Sequence, residues 1–462
     1  MKSIDVLLLA GIIITAIWLI IFPKRTNGSL KFLVALTVIL ALVQLFTEGY
    51  YWQYVPSYLL LLVMVMQSIF LKENTSKLKI RLLRFTLLFL LLASIVPWAI
   101  FLPIPTLIKP QGNYPVGTRI FRWVDVDRFE HITSDPHDRR NVVVQAWYPT
   151  EANAKGTHSP YLDGMNQLPE QIGPLPRWLL DHYDQINTYG ILNAPISKAQ
   201  HQWPVVIFLT GNVASRAFYT SLIAGLAGHG YVVLAIDHPY EAMITQLADG
   251  TIATTIENHP TNAPDLTDFM KGRLDLRIAD VKFILNQLNN PKAWPDPFLG
   301  SLNQNRMVIA GHSLGGATAA VAMASDSRLK AAVNIDGTLY GELPKLTGPR
   351  PFLLIESNKQ ESERYLRYEN GNQRFFKQFG GGYRYELSEA DHYSFTEAPF
   401  LLAPPTRFIA GAVLGFGNIP TKTHRATIDL LNTFFQGVLN DKPADLDSVA
   451  NRYQGIIRKP TN

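Results

Sequence analysis

The chain has 462 residues, of which 47% are hydrophobic, with no cysteine and a formal net charge of +5 at pH 7. The absence of cysteine from the sequence excludes thiolate metal sites and cysteine nucleophiles. Residues 1–105 contain 9 of the 42 Lys/Arg but only 3 of the 37 Asp/Glu, so the rest of the chain, with 33 basic and 34 acidic residues, is almost neutral. The excess positive charge lies beside apolar segments, where it orients membrane helices, and we do not expect nucleic-acid binding.

Four long apolar segments begin the chain, at about residues 4–22, 30–46, 55–71 and 85–102. Each has about the 17–25 residues that a helix needs to cross a hydrocarbon core. A cleaved signal peptide is the alternative for the first segment, but no small-x-small cleavage site follows it and three more apolar segments do. The segments contain no ionisable pair that would mark an ion path. We therefore predict an integral membrane anchor at residues 1–105 and a globular domain at 106–462.

The loops between these segments differ in charge. The second loop, 47–54, has no basic residue but four aromatic ones, as at a membrane–water interface. The other two loops are basic, with Lys24, Arg25 and Lys31 in the first and Lys72, Lys77, Lys79, Arg81 and Arg84 in the third. Because basic loops stay in the cytoplasm, the fourth segment ends on the opposite side. The sequence predicts a multi-pass protein of the cell membrane with an extracytoplasmic globular domain.

Strand-like and helix-like patterns alternate beyond the membrane segments. Short apolar runs at 141–147, 204–209, 231–236, 307–310, 331–335, 352–355 and 383–387 predict strands. Helical patterns lie at 217–228, 273–288, 313–324 and 425–439. This alternation predicts an α/β fold with a mainly parallel sheet between two layers of helices. Segments 149–202 and 242–268, rich in Pro, Asn and Gly, are predicted insertions that could cover a site.

The motif Gly311-His-Ser313-Leu-Gly315 follows the predicted strand at 307–310 and precedes a predicted helix. A tight strand-to-helix turn raises a serine hydroxyl above the sheet, and flanking glycines let the strand and the helix approach closely. The motif predicts that Ser313 is a catalytic nucleophile. The alternative is that Ser313 only caps the following helix.

A nucleophilic serine needs a base, and the base needs an acid that holds its tautomer. In the order Ser, Asp/Glu, His both partners follow the serine in the chain. Asp336 directly follows the strand at 331–335, and Glu356, which directly follows the strand at 352–355, is the rival acid. Asp336 and Glu356 therefore lie at the same edge of the sheet as Ser313, because the carboxyl ends of parallel strands meet at one edge.

Two histidines follow Asp336 in the chain, His392 and His424. His424 begins the predicted closing helix, whereas His392 lies in a loop after the last predicted strand, so His392 is the predicted base. Its neighbour Asp391 is not the predicted acid, because successive side chains of an extended loop point apart.

Two backbone N–H groups are predicted to bind the oxyanion of the reaction. One belongs to Leu314, at the N-terminus of the helix after the nucleophile. The other belongs to Asn212, in the turn Thr210-Gly-Asn-Val213 that follows the strand at 204–209.

These residues resemble the α/β-hydrolase fold and, within it, the plasma-type platelet-activating factor acetylhydrolases and their bacterial relatives. The similar pieces are Val144-Gln-Ala-Trp-Tyr-Pro149, Pro160-Tyr-Leu162, Arg216, Tyr219-Thr-Ser221, Ala227-Gly-His-Gly-Tyr-Val-Val233, Ala235-Ile-Asp-His-Pro-Tyr-Glu241, the elbow Gly311–Thr318, Asn334-Ile-Asp-Gly337 and His392-Tyr-Ser-Phe395. The resemblance implies a calcium-independent serine esterase without cofactor or metal, whose acid is Asp336 rather than Glu356. It also implies a His-Gly pair before the second oxyanion donor, where this chain has Thr210-Gly211.

Family substrates are phospholipids with short or oxidised sn-2 acyl chains, and many bacterial relatives are esterases or lipases. The resemblance therefore implies a serine hydrolase of lipid or short-acyl esters. The membrane segments have no counterpart in it, and the prediction that the hydrolase is membrane-anchored comes from the four apolar segments alone. Two alternatives stay open from the sequence. One is an idle hydrolase domain that serves as a sensor or binding module, and the other is an acyltransferase or peptidase on the same fold.

Overall fold

The computed structural model describes residues 3–23, 28–71, 75–100, 104–172, 175–256, 263–295, 298–345, 348–358, 363–414 and 419–461. Outside these ranges lie Lys24, Arg25 and Lys72 of the predicted basic loops, the end of the predicted fourth segment at 101–102 and part of the second predicted insertion, 257–262. The chain divides into two compact units. The helical unit comprises Met1–Pro105, Trp178–Tyr183 and Leu401–Ile409, and the sheet unit comprises Thr106–Arg177, Asp184–Phe400 and Ala410–Asn462.

Four helices of the helical unit are long and apolar enough to cross a membrane, by length and composition. They are α1 (Ser3–Ile21), α2 (Gly28–Thr47), α3 (Val55–Phe70), which a 3₁₀ turn at Trp52–Tyr54 precedes, and α4 (Lys77–Ile100). Helix α4 begins eight residues before the predicted segment. Lys77, Lys79, Arg81 and Arg84 therefore lie on its first turns and not in a loop, because Lys, Arg, Leu and Ile all sustain a helix.

Polar side chains join the first three helices internally. Tyr54 donates to Asp5 Oδ1 at 3.0 Å, and Tyr58 donates to Gln44 Oε1 at 2.7 Å. At the other end, Gln67 Nε2 donates to the carbonyl of Pro23 at 3.2 Å. Each bond satisfies a buried polar group that would otherwise be costly among apolar side chains. Helices α1, α2 and α3 therefore run alternately up and down, with the aromatic residues near Tyr54 at one end. The N-terminus of α4 lies at the other end, where Arg84 donates to the carbonyl of Ile21 at 3.2 Å.

One ten-stranded sheet forms the centre of the sheet unit. Its strands lie in the order β14-β13-β12-β11-β10-β6-β7-β2-β1-β5. The strands in the described residues are β1 (Val116–Phe129), β2 (Arg139–Pro149), β3 (Gln171–Ile172), β4 (Leu175–Pro176), β5 (Gly190–Leu192), β6 (Trp203–Leu209), β7 (Val232–Asp237), β8 (Ile244–Gln246), β9 (Ile252–Thr254), β10 (Leu302–His312), β11 (Leu329–Ile335), β12 (Phe352–Ser357), β13 (Tyr383–Leu387) and β14 (Ile456–Arg458). Strands β3 and β4, and β8 and β9, form separate pairs.

The sheet is parallel from β13 to β7 and antiparallel at β2, β1 and β14. Its central strands are almost entirely apolar because both faces are covered. Val205, Ile207 and Leu209 of β6 face one hydrophobic cluster, whereas Val206 and Phe208 face the other. The predicted mainly parallel architecture is therefore present, and each predicted strand coincides with an observed one.

Helices cover both faces of this sheet. The remaining described helices are α5 (Thr220–Gly228), α6 (Ala263–Gln287), α7 (Leu314–Ser325), α8 (Glu363–Phe379), α9 (Ala398–Leu401), α10 (Pro404–Leu414), α11 (Pro420–Leu439) and α12 (Leu446–Asn451). Side chains of α6, α7 and α8 belong to one cluster, and those of α5, α11 and α12 to the other. Helix α6 begins inside the second predicted insertion, which is therefore shorter than predicted.

Candidate active site

Ser313 occupies the turn between β10 and α7. Its backbone has φ 55° and ψ −126°, a conformation that non-glycine residues rarely adopt. The turn is closely packed: a Cβ atom added at Gly311 would lie 2.4 Å from the carbonyl of Gly315, and one added at Gly315 would lie 2.4 Å from the carbonyl of Leu209. Glycine is therefore required at both positions, as the sequence predicts, and the strained turn raises Ser313 out of the sheet.

Three side chains from distant parts of the chain meet beside this turn. His392 Nε2 lies 3.0 Å from Ser313 Oγ, and His392 Nδ1 lies 2.7 Å from Asp336 Oδ2. The side chain of Asp336 is 0% exposed and that of His392 is 29% exposed. Because a carboxylate only accepts hydrogen bonds, His392 donates through Nδ1, which leaves Nε2 as the acceptor for the serine hydroxyl. This arrangement can move the serine proton to the imidazole.

Asp336 is held in place by the strand next to its own. It follows β11 with φ 58°, and its carboxylate accepts from Ser357 N–H and from Ser357 Oγ–H, each at 2.9 Å. These bonds orient the carboxylate. Ser357, at the end of β12, is a residue of the candidate site that the sequence reasoning missed, because its contact with Asp336 depends on how β11 and β12 are paired.

The residues that the sequence placed second have other partners. Glu356 accepts from Arg384 Nε at 2.8 Å and from Tyr368 O–H at 3.0 Å, and burial raises its pKa. His424 is buried with Nε2 2.9 Å from the Thr396 carbonyl, and burial lowers its pKa to about 4. Asp391 caps the 3₁₀ turn His392–Phe395 by accepting from the N–H groups of Tyr393 and Ser394. The structure therefore brings His392 to Asp336 and Ser313. Glu356, His424 and Asp391 make structural contacts elsewhere.

The loop after β6 is held by a buried arginine. Arg277 on α6 donates to the carbonyl of Thr210 at 2.7 Å and to that of Gly211 at 3.3 Å. It also donates to Glu241 at 2.8 Å. Burial opposes the ionisation of Glu241, but Arg277 and the other basic groups around the carboxylate together outweigh it, so the pKa of Glu241 lies below its usual value. The buried ion pair therefore fixes two carbonyls of the loop.

The direction of these carbonyls sets the direction of the next N–H group. In a trans peptide the C=O and the following N–H point in opposite directions. Because the Gly211 carbonyl points towards Arg277, the Asn212 N–H points away from it. A Cβ atom added at Gly211 would lie 3.3 Å from Ser313 Cβ, so the loop lies against the nucleophile. The first N–H groups of a helix have no acceptor within the helix, and Leu314 is the first residue of α7.

A chain of hydrogen bonds links this loop to the main chain of His392. Gly211 N–H donates to Tyr219 Oη at 3.0 Å, Tyr219 Oη lies 2.9 Å from His312 Nδ1, and His312 Nε2 lies 2.9 Å from the carbonyl of His392. The carbonyl can only accept, so His312 donates through Nε2 and Tyr219 donates to Nδ1. Tyr219, His312 and Arg277 had no assigned role in the sequence reasoning, although His312 is the central x of Gly-x-Ser.

The sheet order, the helices on both faces and the serine at the strand-to-helix turn define an α/β-hydrolase. The predicted fold class is confirmed by the similarity to a solved ferulic acid esterase from Streptomyces cinnamoneus, with a TM-score of 0.65 and 23% identity, over 77% of this chain and 99% of that one. Residues 103–373, more than half of the chain, match the family described as "Platelet-activating factor acetylhydrolase, isoform II". The chain therefore belongs to this family.

Curated relatives agree with this family. A protein of Arthroderma benhamiae named "Probable 1-alkyl-2-acetylglycerophosphocholine esterase" is 32% identical over 33% of this chain and 37% of its own. The platelet-activating factor acetylhydrolase of Cavia porcellus is 24% identical over 47% of this chain and 52% of its own. The chain thus spans about half the length of these relatives or less.

Proposed function

We propose that this protein is a membrane-anchored serine esterase that hydrolyses carboxylic esters of lipids through an acyl-enzyme. The hydrogen-bonded series from Asp336 through His392 to Ser313 carries the proposal. Membership of the acetylhydrolase family supports it further, because its relatives are named as esterases.

In the proposed reaction, His392 Nε2 takes the Ser313 proton as Oγ attacks the acyl carbonyl. The N–H groups of Leu314 and Asn212 bind the oxyanion, and a donor of this kind is typically worth about 10²–10³ in kcat. His392 then gives the proton to the leaving alcohol oxygen as the C–O bond breaks. A water molecule, deprotonated by His392, attacks the acyl-enzyme, and the acid leaves as Ser313 regains its proton. Asp336 keeps Nδ1 protonated and stabilises the imidazolium.

The proposed substrates are phospholipids with a short sn-2 acyl chain, or similar short-acyl esters. Family membership and the apolar helices support this class, since an anchored enzyme meets its substrate at a lipid surface. An ester panel on the purified full-length chain, with sn-2 acetyl and sn-2 palmitoyl phosphatidylcholine and product analysis, tests it. Faster release of acetate is expected, and transfer of the acyl group to an added alcohol in preference to water would instead identify an acyltransferase.

Substitution of the nucleophile tests the mechanism. Ser313→Ala should lower kcat for p-nitrophenyl acetate by about 10⁶ if the three residues act as a unit. Ser325→Ala, at the other end of α7, is the matched control and should leave kcat unchanged. A fluorophosphonate probe should label the parent and not Ser313→Ala. A parent that neither reacts with the probe nor hydrolyses any ester would be an idle binding module.

We further propose that α1–α4 span the cell membrane and that the sheet unit is extracytoplasmic. The basic residues Lys77, Lys79, Arg81 and Arg84 at the N-terminus of α4 support this orientation, because such residues stay in the cytoplasm. Single cysteines are unique labels in a chain that has none. In intact cells an impermeant maleimide should label Asn305→Cys in the sheet unit but not Ser76→Cys, and the reverse pattern would overturn the orientation.

A further inference from the structure

A cavity in the helical unit lies between the 3₁₀ turn before α3 and the segment Trp178–Tyr183, which belongs to the same unit. Its volume of about 440 Å³ falls within the range of about 300–1,000 Å³ that is usual for small-molecule sites. None of its lining residues takes part in the proposed reaction. The cavity is therefore a candidate binding site separate from the three residues Ser313, Asp336 and His392.

Two indole rings form a corner of this cavity. The rings of Trp52 and Trp178 are nearly perpendicular, at 78°, with their centroids 5.0 Å apart, and Tyr50 adds a third aromatic ring to the lining. Trp178 is 48% exposed and Tyr50 is 56% exposed, so much of their ring surface is open to a ligand. Because the face of an aromatic ring carries the negative part of its quadrupole, such a corner attracts cations.

Asp181 adds a full negative charge to the same cavity. Its side chain is exposed and has no ion-pair partner in the part of the chain that the structure describes. The described lining includes no lysine or arginine, and Pro56 and Pro97 contribute aliphatic surface to it. The cavity therefore combines one carboxylate with aromatic and aliphatic walls, which suits a cation whose own surface is apolar.

His182 holds the segment Trp178–Tyr183 against the turn. Its Nε2 lies 2.5 Å from the carbonyl of Tyr50, and because a carbonyl only accepts, Nε2 donates. The ring of His182 is also edge-on to that of Tyr51, which is fully buried, with centroids 4.3 Å apart. These contacts keep Trp178 beside Trp52, so a ligand meets a corner that is already formed, and little ordering opposes its binding.

From these observations we propose that the cavity binds a quaternary ammonium group such as that of choline, either as a free cation or as the headgroup of a lipid. A quaternary ammonium group has no N–H to satisfy and presents methyl groups to aromatic faces. A primary ammonium group is strongly hydrated and has three N–H donors, so contact with the same rings costs it more. All lining residues belong to the helical unit, so the inference does not rest on the proposed esterase.

Equilibrium dialysis of radiolabelled choline against the full-length chain in an uncharged maltoside detergent tests this proposal. Ethanolamine, the primary ammonium analogue of choline, is the competitor. Choline should bind about tenfold more tightly than ethanolamine. Absence of choline binding would overturn the proposal, and so would equally tight binding of ethanolamine, because the site would then recognise only positive charge.

Conservative variants locate the bound cation. Trp178→Phe and Asp181→Asn should each weaken choline binding about three- to tenfold, because phenylalanine is a weaker cation–π partner than tryptophan and asparagine has no charge. Asp184→Asn, three residues further along the chain and outside the lining, is the matched control and should bind choline as the parent does. Choline binding that neither Trp178→Phe nor Asp181→Asn weakens would place the cation elsewhere and overturn the proposal.

Reconstitution in vesicles distinguishes the two sources of the ligand. In phosphatidylglycerol, which has no quaternary ammonium group, the parent should bind more choline than Asp181→Asn, and equal binding would contradict the proposed site. In phosphatidylcholine this difference should disappear if the lipid headgroup occupies the cavity and persist if the free cation is the ligand. All vesicle measurements use a Ser313→Ala background to prevent hydrolysis of the lipid. A parent without esterase activity would thus contradict the proposed function and leave this inference intact.

Discussion

His312 donates from Nε2 to the main-chain carbonyl of His392 at 2.9 Å, so the residue before the nucleophile holds the backbone of the proposed base. The other ring nitrogen of His312 accepts from Tyr219, which in turn accepts from Gly211 N–H. The two loops that approach Ser313 are therefore joined through two buried rings. This connection suggests how the chain can position its oxyanion loop with Thr210 where the family resemblance implies histidine.

Tyr219→Phe removes both bonds of the tyrosine hydroxyl while keeping the ring. We expect kcat to fall about 10–100-fold with KM almost unchanged, because a misplaced oxyanion donor costs less than a missing one, which costs about 10²–10³. The check is steady-state kinetics with p-nitrophenyl acetate.

Tyr231→Phe is the matched control for this substitution. Tyr231 is also buried, and its hydroxyl donates to Asn432 Oδ1 at 3.2 Å. The free energy of unfolding should fall by at most about 1–3 kcal/mol in each variant. Only Tyr219→Phe should lose activity. An equal effect of both variants on kcat would mean that the bonds of Tyr219 are merely structural.

Asp336→Asn and Glu356→Gln test which of the two candidate carboxylates is the acid that partners His392. Asp336→Asn should lower kcat by about 10⁴, because an amide next to Nδ1 favours the wrong imidazole tautomer. Glu356→Gln should leave kcat within a few-fold and lower stability by about 3–5 kcal/mol, because it breaks a buried ion pair with Arg384. Kinetics and thermal unfolding of both variants check this, and the opposite pairing of effects would make Glu356 the acid.

Gly315→Ala and Gly272→Ala should change stability in opposite directions. A methyl group at Gly315 would lie 2.4 Å from the carbonyl oxygens of Leu209 and Thr210, so the turn after Ser313 would have to shift. A methyl group at Gly272, in α6, has nothing within 4 Å and should stabilise the helix by about 0.5–1 kcal/mol. Apparent melting temperatures should fall for the first variant and rise slightly for the second. A stable, fully active Gly315→Ala would contradict the packing of the turn.

Glu397 should make the free energy of unfolding fall as pH rises. It is buried with Oε1 2.5 Å from Ser221 N, and burial raises its pKa from 4.5 to about 7. Between these values the folded state keeps a proton that the unfolded state has lost, so stability decreases with pH across this window. Glu397→Gln removes this decrease. As pH rises from 4.5 to 7, the free energy of unfolding of the variant should therefore increase by about 3 kcal/mol relative to that of the parent.

His424 supplies an internal control with the opposite sign. Burial lowers its pKa from 6.5 to about 4, so between these values the unfolded state binds the extra proton and stability increases with pH. Relative to the parent, His424→Gln should therefore lose stability as pH rises from 4 to 6.5. Denaturant unfolding at several pH values checks both variants, and parallel changes would show that other groups control the pH dependence.

Local sequence patterns were sufficient to predict the helices and strands that lie in one uniform chemical environment. Uniform apolarity over about 20 residues identified the four long helices of the helical unit, and short β-branched runs identified the central strands, which are apolar on both faces. The strand-to-helix turn at Ser313 was also predictable from the sequence, because the glycines at 311 and 315 meet the steric demands of this turn. Strand β1 was missed because it lies near the edge of the sheet and carries charged residues such as Arg122 and Asp125.

Helix α8 was missed for a related reason. Its sequence is rich in charged and amide residues and contains a glycine, yet Phe375, Phe376 and Phe379 bury their rings around Phe352 of β12. Packing of these three rings against the preceding strand stabilises the helix more than its own composition does.

By itself, the sequence determined that the chain has an apolar helical region, an α/β sheet and a serine in a strained turn, because each follows from the spacing of neighbouring residues. The tertiary structure decided which carboxylate meets His392, since Asp336 and Glu356 both end parallel strands. Arg384 and Tyr368 bind Glu356, whereas Ser357 orients Asp336 beside the imidazole. The attachment of segments 178–183 and 401–409 to the four apolar helices was likewise decided in three dimensions, because a hydrogen bond between residues 307 positions apart leaves no periodic signal in the sequence.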